Sequence, residues 1–407
     1  MQRVVFDITS LVRMTSNIPH GLIRVEAAFA EALLLDWQDA HVFYVHRTSL
    51  GYLAKLPRSH VVRILDSCRG STINIKLTSE RLDRLLNRWC RPFLPFFFKK
   101  SDLYVNVGGL DQLPKNRVLA KSLRSQRILF TAFCHDLIPV KHPYLVKSCG
   151  FRTRYQAGLE TAAVAELILC NSESTRLDFY EYLSDRHWLP IPEVAVIQLA
   201  SDKLDAIPQL QEDFSALDVG NYILCVGTIT ERKNQDLLLN IWSWFTYEDR
   251  LKNVKLVLVG PVGGCAEIET RKLELDPRII SNVIHFKTVT DSGLAWLYEN
   301  CMFTVYPSLY EGWGLPIGES LAYGKVCIAS STSSLVEAGQ GLCLHIDPLD
   351  FMTWYHTVTQ LILDSPRRLA LEAKIRSTFK ARSWHQVGAE FKALLTHRLS
   401  KRRQLKS

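Results

Sequence analysis

Residues 303–330 read FTVYPSLYEGWGLPIGESLAYGKVCIAS, and their order of residue types indicates how the second half of the chain is built. An apolar run opens the stretch and is typical of a buried strand, which Pro307 ends. A glycine-containing loop follows, and Pro316 suits the first turn of a helix because its missing N–H donates nothing there. A second apolar run, at 326–329, is typical of the next strand. Strand, glycine loop, helix and strand in this order predict a parallel α/β sheet.

Two carboxylates frame that loop. Glu311 lies within it, and Glu319 is expected in the first turn of the helix. Loop amides at the positive end of a helix suit an anion such as a diphosphate. Like charges repel, so we expect the carboxylates to accept hydrogen bonds from sugar hydroxyls instead. The alternative, a solvated loop residue and a helix-favouring acid, fits either Glu alone. The glycines and flanking strands favour the ligand site.

The spacing of Glu311 and Glu319 resembles the E-x7-E motif of retaining glycosyltransferases of the GT-B fold, in the large family 4. The residues that also match between the two carboxylates are Gly312, Gly314, Leu315, Pro316 and Gly318. The resemblance implies that Glu311 lies beside the donor hexose and that Glu319 binds the nucleotide ribose. It also implies that the donor diphosphate lies on the amides near Gly314 and Leu315.

The chain length and composition are those of a two-domain globular protein. With 407 residues, the chain is too long for one ordinary core. The polar segment 201–220 is the best linker, so we predict domains 1–205 and 206–383. The fold resemblance implies that a final helix, 384–407, packs back on the first domain. No apolar run reaches the roughly 18 residues of a transmembrane helix, and the N-terminus lacks the pattern of a signal peptide.

The cysteines and the charge bear on the compartment and the partners. There are 10 Cys residues and no C-x-x-C, which favours reduced thiols in a cytoplasmic protein. The formal charge of +8, partly in the tail 398–406, indicates anionic ligands or a membrane surface rather than nucleic acid. The aromatic and basic segment Arg91 to Lys100 could touch the inner membrane surface. The alternative is a hydrophobic loop packed on the domain.

The first half of the chain repeats the strand and helix alternation, which predicts a doubly wound parallel sheet. A strand at 4–8 leads through a loop to Gly21, which opens a helix to about Leu35. The dinucleotide fingerprint G-x-G-x-x-G is absent. By position, the family resemblance places Gly21 opposite the donor phosphates, across a cleft between the domains. Further strands are expected at 41–46 and 61–66.

A histidine follows the predicted strand 127–133. His135 opens the segment His-Asp-Leu-Ile-Pro, where α/β folds place polar site residues. A lone histidine is often structural, but this segment resembles one that is common in the same family. The resemblance implies that His135 lies near the transferred sugar.

A third glycine turn carries two cations. The strand 222–226 is followed by Gly227, Thr228 and, after a short loop, Arg232 and Lys233. Such a pair can neutralise a diphosphate leaving group, or it can be a solvated helix start. The segment resembles the family's donor-phosphate segment, which assigns these four residues to the donor site. Thr228 stands where many members carry a basic residue.

These features and the resemblance imply an α/β GT-B protein with two Rossmann-like domains. The expected activity is retaining transfer of a hexose onto a glycan or lipid-linked acceptor in O-antigen or capsule assembly. His135, Glu311, Arg232 and Lys233 are the expected catalytic residues. The sequence contains no Asp-x-Asp metal cluster, so no metal and no cofactor are expected.

The expected donor is GDP-mannose. The segments around Arg232 and His135 resemble those of mannosyltransferases of bacterial surface polysaccharides. Rhamnosyl or glucosyl transfer from a dTDP- or UDP-sugar is the next alternative. A sugar-nucleotide epimerase, a phosphorylase or a non-catalytic partner subunit on the same fold are alternatives of other classes.

Overall fold

The structure is a computed structural model. It describes residues 2–14, 21–35, 37, 40–48, 52–68, 96–113, 123, 125–204, 212–248, 251, 253–264 and 266–404. The chain divides into two compact units. The first unit consists of Met1–Lys141, Ser148–Leu199 and Trp384–Ser407, and the second of His142–Lys147 and Ala200–Ser383.

The first unit is built on a seven-stranded sheet with the order β3-β2-β1-β4-β5-β6-β7. Its strands are β1 Gln2–Asp7, β2 Ala40–Arg47, β3 Leu53–Leu56, β4 Leu103–Asn106, β5 Leu129–Cys134, β6 Leu167–Cys170 and β7 Glu193–Val196. All neighbours pair in parallel except β2 and β3. Its helices are Thr9–Val12, Gly21–Leu35, Arg58–Cys68, Ile138–Lys141, Cys149–Ala162, Glu173–Ser184 and Trp384–Gln404.

The last helix completes the core of the first unit. Phe391 stacks on Phe29 with 4.2 Å between the ring centroids. It also contacts Phe6 of β1 edge-on at 6.3 Å. All three rings are fully buried. Residues that are last in the sequence therefore supply apolar surface to the first strand and the first long helix.

The second unit is built on a six-stranded sheet with the order β10-β9-β8-β11-β12-β13. Its strands are β8 Tyr222–Val226, β9 Lys255–Val259, β10 Val283–Phe286, β11 Thr304–Tyr306, β12 Cys327–Ser330 and β13 Leu344–Ile346. Every neighbouring pair is parallel. Its helices are Gln235–Phe245, Glu267–Leu275, Pro277–Ile280, Asp291–Asn300, Leu315–Ala322, Leu335–Ala338, Phe351–Leu363 and Ser365–Thr378. The strand order reverses between β8 and β11, and open α/β sheets bind ligands outside the carboxyl ends of the strands at such a point.

The structure differs from the sequence-based prediction at two places in the first unit. The strand expected at 61–66 is wrong, because these residues lie inside the helix Arg58–Cys68. Val61 and Leu65 are buried four residues apart, which is the spacing of a helix face, while Val62 between them is 38% exposed. The sequence patterns also do not predict the antiparallel edge strand β3.

The aromatic segment Arg91 to Lys100 is described only from Phe96 onward. Phe96 and Phe98 pack against the core of the first unit. Phe97 between them is 77% exposed. Among the described helices of the protein, none combines the length and the apolar character needed to cross a bilayer.

Candidate functional site

The loops that follow β8 and β11 converge at the point where the strand order of the second unit reverses. The backbone N–H of Leu309 donates to the carbonyl of Arg232 at 2.8 Å. The side-chain amide of Asn234 donates to the carbonyl of Pro307 at 3.2 Å. Asn234 has a φ of 56°, a left-handed conformation that Asn tolerates better than most residues. These bonds join the two loops into one frame.

Three charged side chains meet within that frame. Arg232 Nη1 lies 2.6 Å from Glu311 Oε2, and Lys233 Nζ lies 2.6 Å from Glu311 Oε1. Glu311 is 8% exposed, so its charge is paired away from most solvent. Burial alone would raise the pKa of Glu311, but Arg232 and Lys233 lower it to about 2. Two cations and one carboxylate leave a net positive charge where a phosphate group would be attracted.

Burial and charge act on Lys233 in opposite directions. Burial lowers the pKa of its ammonium, and the carboxylate of Glu311 opposes that shift. Gly227 lies beneath the side chain, and a Cβ at this position would be 3.5 Å from Lys233 Cε. The predicted residues Gly227, Arg232, Lys233 and Glu311 are therefore neighbours. Thr228 contributes its carbonyl, which accepts from the side chain of Gln235 at 3.1 Å.

Tyr306 joins the charged group, whereas the sequence identifies it only as a strand residue. Its hydroxyl accepts a hydrogen bond from Lys233 Nζ and donates to Glu311 Oε1 at 3.3 Å. The ammonium of Lys233 also lies 4.6 Å from the centroid of the Tyr306 ring. A polar side chain at the last position of a buried strand, beside the reversal of strand order, is the signal that could have identified it.

The loop between Glu311 and the following helix is shaped by two serines. The hydroxyl of Ser334 lies 2.9 Å from the carbonyls of both Glu311 and Trp313. The N–H of Glu311 donates to Ser333 Oγ at 3.0 Å. Gly314 caps the helix Leu315–Ala322 with a φ of 114°, and a Cβ there would lie 2.8 Å from Leu335 Cδ2. Gly312 is buried in the same loop, so the predicted glycines lie in one tightly packed turn.

Glu319 lies deeper in its helix than the sequence predicts. The helix begins at Leu315, ahead of Pro316, so Glu319 is the fifth helical residue and not in the first turn. Its Oε2 accepts a hydrogen bond from the hydroxyl of Tyr298 at 2.8 Å. Burial raises the pKa of Tyr298 well above its usual range, and the carboxylate of Glu319 adds to the shift. Tyr298 therefore remains a donor that orients Glu319.

The two remaining predicted residues belong to the first unit. Gly21 is the first residue of the helix Gly21–Leu35 and is exposed. His135 follows β5, and its Nε2 donates to the carbonyl of Val107 at 2.7 Å. The side chain of Asn171 donates to the backbone carbonyl of His135 at 2.8 Å. His135 is thus held at the carboxyl end of its strand with Nε2 protonated.

In the described residues, no group of three or more His, Cys, Asp or Glu side chains has the arrangement of a metal site.

The family described as "Glycosyl transferases group 1" matches residues 209–378. The chain is similar to the serotype-specific mannosyltransferase WbdA of Escherichia coli, with 30% identity over 261 residues, 60% of this chain and 29% of that protein. It is also similar to the O-antigen chain mannosyltransferase B of Escherichia coli, with 28% identity over 228 residues, 55% of this chain and 59% of that protein. A solved sucrose-phosphate synthase from Thermosynechococcus elongatus has a TM-score of 0.63 and 17% identity, covering 98% of this chain and 100% of that chain.

The chain spans 29% and 59% of the lengths of these two curated relatives. The solved structure matches nearly the whole chain, so the likeness covers both units. The predicted GT-B fold is confirmed by this likeness together with the two doubly wound sheets.

Proposed function

We propose that this chain, which has the GT-B fold and carries a glycosyl transferases group 1 domain over residues 209–378, is a retaining mannosyltransferase. It transfers mannose from GDP-mannose onto a glycan or lipid-linked saccharide in surface polysaccharide assembly. The observation that carries the proposal is the convergence of Arg232 and Lys233 on Glu311 at the carboxyl ends of β8 and β11. The similarity to two mannosyltransferases supports the choice of sugar.

The geometry suits departure of a nucleoside diphosphate. As the bond from the sugar to the diphosphate breaks, negative charge accumulates on the leaving oxygen, and two fixed cations stabilise it. The amino end of the helix Leu315–Ala322 adds its partial positive charge nearby. The acceptor hydroxyl attacks from the face that the leaving group vacates, which retains the anomeric configuration. The new glycosidic bond forms as the bond to the diphosphate breaks, and the hydroxyl proton passes to the departing diphosphate oxygen. No metal or cofactor is required in this scheme, because the cations are supplied by the chain.

The carboxylates bind sugar hydroxyls in this proposal. Glu319, oriented by Tyr298, accepts hydrogen bonds from the ribose. Glu311 accepts hydrogen bonds from the hexose. On the basis of the sequence resemblance, we also propose that His135 contacts the hexose hydroxyls and that Gly21 lies at the donor phosphates.

The first experiment is release of nucleoside diphosphate from GDP-mannose, UDP-glucose and dTDP-rhamnose. We expect release from GDP-mannose that is lost in Glu319→Ala. Glu274→Ala, which removes an exposed carboxylate from the same unit, is the matched control and should keep the activity. Release from UDP-glucose or dTDP-rhamnose alone would overturn the choice of donor and leave the transferase site intact.

If no donor releases its nucleoside diphosphate, the protein is either an enzyme that needs its acceptor or a non-catalytic subunit. A thermal-shift measurement with the free diphosphates separates these two cases. A ligand that binds only the folded state must raise its unfolding temperature. Stabilisation by GDP without turnover indicates an enzyme that waits for its acceptor. No stabilisation by any of the three free diphosphates would overturn the proposed transferase and favour a non-catalytic subunit.

Metal independence is tested separately. We expect the rate of donor turnover to be the same in excess EDTA and in Mg²⁺, since Arg232 and Lys233 hold the diphosphate. A rate that falls by an order of magnitude in EDTA and returns with Mg²⁺ would contradict this part of the proposal.

We place the protein in the cytoplasm, with peripheral contact to the inner membrane surface through the first unit. Phe97 is 77% exposed beside Lys99 and Lys100, an arrangement that suits an anionic bilayer. We expect the protein to sediment with vesicles that contain anionic lipid and to stay in the supernatant with neutral vesicles. Phe97→Ala should weaken this binding, and equal binding to both vesicle types would contradict the electrostatic part.

A further inference from the structure

We propose that Tyr306 is a positioning residue of the donor site, whose hydroxyl holds the ammonium of Lys233 in place to bind the diphosphate. This proposal rests on the proposed function and adds to it a residue outside the E-x7-E motif. It starts from the hydrogen bonds that one buried phenol makes to two site residues.

The hydroxyl of Tyr306 bridges a cation and an anion. It accepts from Lys233 Nζ and donates to Glu311 Oε1 at 3.3 Å, which uses both of its hydrogen-bonding functions. The ring is 3% exposed, so neither bond competes with bulk water. Burial raises the pKa of Tyr306 well above its usual range, and Glu311 adds to the shift. The phenol therefore stays neutral and does not itself repel a phosphate.

The hydrogen bond between Lys233 and the Tyr306 hydroxyl has its largest effect on the position of Lys233 when the donor is bound. Glu311 is one acceptor for Lys233 in the free protein, but in the proposed mechanism it turns to the hexose hydroxyls. Tyr306 then remains as the fixed acceptor that aims Lys233 at the diphosphate. The ring face adds a cation–π contact, since the ammonium lies 4.6 Å from its centroid.

The charge on Lys233 depends on its surroundings. The titratable groups that act on it are Arg232, Glu311, Tyr306 and the buried thiol of Cys225 on β8. Burial lowers the pKa of the Lys233 ammonium. Loss of the phenol oxygen removes a hydrogen-bond acceptor of that ammonium, so it should lose its proton at a lower pH.

The variant Tyr306→Phe keeps the ring and removes only the hydroxyl. Tyr222→Phe is the matched control, because Tyr222 is also buried and donates to the carbonyl of Leu297 at 2.8 Å at the opposite end of β8. The probe is inorganic pyrophosphate, which tests the cations without the base or the sugar. Its affinity is measured by calorimetry from pH 6 to pH 10.

We expect the pH at which Tyr306→Phe loses pyrophosphate affinity to fall by about one unit relative to the parent protein. At neutral pH the affinity for pyrophosphate should drop about tenfold, because the variant loses one hydrogen bond to a charged group. Tyr222→Phe should keep the parent profile. A Tyr306→Phe profile that matches that of the parent would overturn the proposal.

A double-mutant cycle asks whether Tyr306 acts through Lys233. If it does, Tyr306→Phe in the background of Lys233→Met should cost no further affinity, because the ammonium is already gone. Additive losses would overturn the positioning role. Parent protein that binds pyrophosphate, but turns over no sugar nucleotide and is not stabilised by GDP, UDP or dTDP, would refute the proposed transferase and leave the role of Tyr306 standing. Parent protein that does not bind pyrophosphate would refute the anion site itself.

Discussion

The buried ion triad of Arg232, Lys233 and Glu311 is the residue-scale feature with the largest consequences. A surface ion pair contributes little, but a buried carboxylate is tolerated only when its charge is paired. Here one carboxylate pairs with both cations at 2.6 Å. Glu311 therefore pairs with the same two cations that our proposal assigns to the donor diphosphate.

The variant Glu311→Gln should separate binding from transfer. It keeps the shape of the side chain and removes the competing charge, so GDP should bind roughly tenfold more tightly, a gain of about 1.4 kcal/mol. Under the proposed function, transfer of the sugar should fall, because the amide replaces one of the two acceptor oxygens by a donor and removes the negative charge that would face the hexose. Calorimetry with GDP and a turnover assay on the same preparation measure both. Weaker binding of GDP would mean that Glu311 organises the cations more than it competes for them.

Glu26 predicts a pH dependence of stability in the first unit. It is fully buried, and burial together with the neighbouring Asp7 raises its pKa from 4.5 to about 8. The pKa of Glu26 is higher in the folded state than in the unfolded state, so protonation of Glu26 stabilises the folded state. This contribution to the free energy of unfolding is fully present below pH 4.5 and is lost as the pH rises to about 8.

Glu26→Gln should remove that dependence. Relative to the variant, the parent protein should lose about 1.4 kcal/mol of unfolding free energy per pH unit within the window. Denaturant unfolding at pH 6, 7 and 8 checks the prediction, with Glu274→Gln as the exposed control. Parallel stability profiles for parent and variant would show that Glu26 is ionised in the folded state across this range.

At the scale of elements, the turn into the helix Leu315–Ala322 depends on the absence of a side chain at Gly314. We expect Gly314→Ala to destabilise the protein by about 1–3 kcal/mol through backbone strain and contact with Leu335. It should also weaken GDP binding, because the helix start moves. Gly341→Ala is the control, since Gly341 has a φ of 71° but a Cβ added there would meet no atom within 4 Å. Equal decreases in unfolding temperature for Gly314→Ala and Gly341→Ala would show that the loss of stability comes from backbone strain alone and not from contact with Leu335.

Element positions are predictable where local signals agree. The helix Gly21–Leu35 begins and ends at the residues that the sequence predicts, and its glycine start and regular apolar spacing agree with each other. The prediction fails at Val61 because a short apolar run does not distinguish a strand from a buried helix face.

The contacts of the site are less predictable than its motif. The sequence places Glu311, Arg232 and Lys233 in one site, but shows no sign of Tyr298 beside Glu319 or of Tyr306 beside Lys233. Tyr306 and Lys233 are 73 positions apart, and Tyr298 and Glu319 are 21 apart. Such pairs are created by strand order and helix packing, which single-sequence patterns do not encode.

At the scale of the whole molecule, the helix Trp384–Gln404 links the stability of the first unit to residues that follow the second unit in the chain. Phe391→Ala should cost about 3–5 kcal/mol, the usual effect of truncating a buried aromatic ring. Hydrogen exchange should show lost protection in β1 and in the helix Gly21–Leu35, while β8 and β11 keep theirs. Phe97→Ala, at an exposed phenylalanine of the same unit, is the control. Equal loss of protection in both units would show that they unfold together.

The same helix has a consequence for how the protein is made. A ribosome releases β1 and the helix Gly21–Leu35 early, but the ring that covers Phe6 and Phe29 is synthesised only after the whole second unit. During translation, Phe6 and Phe29 should therefore stay uncovered until Phe391 is synthesised. By that time all residues of the second unit have been synthesised and can fold. The nascent chain should bind chaperones that recognise apolar surface through β1 and the helix Gly21–Leu35, and should dissociate from them when the helix Trp384–Gln404 emerges.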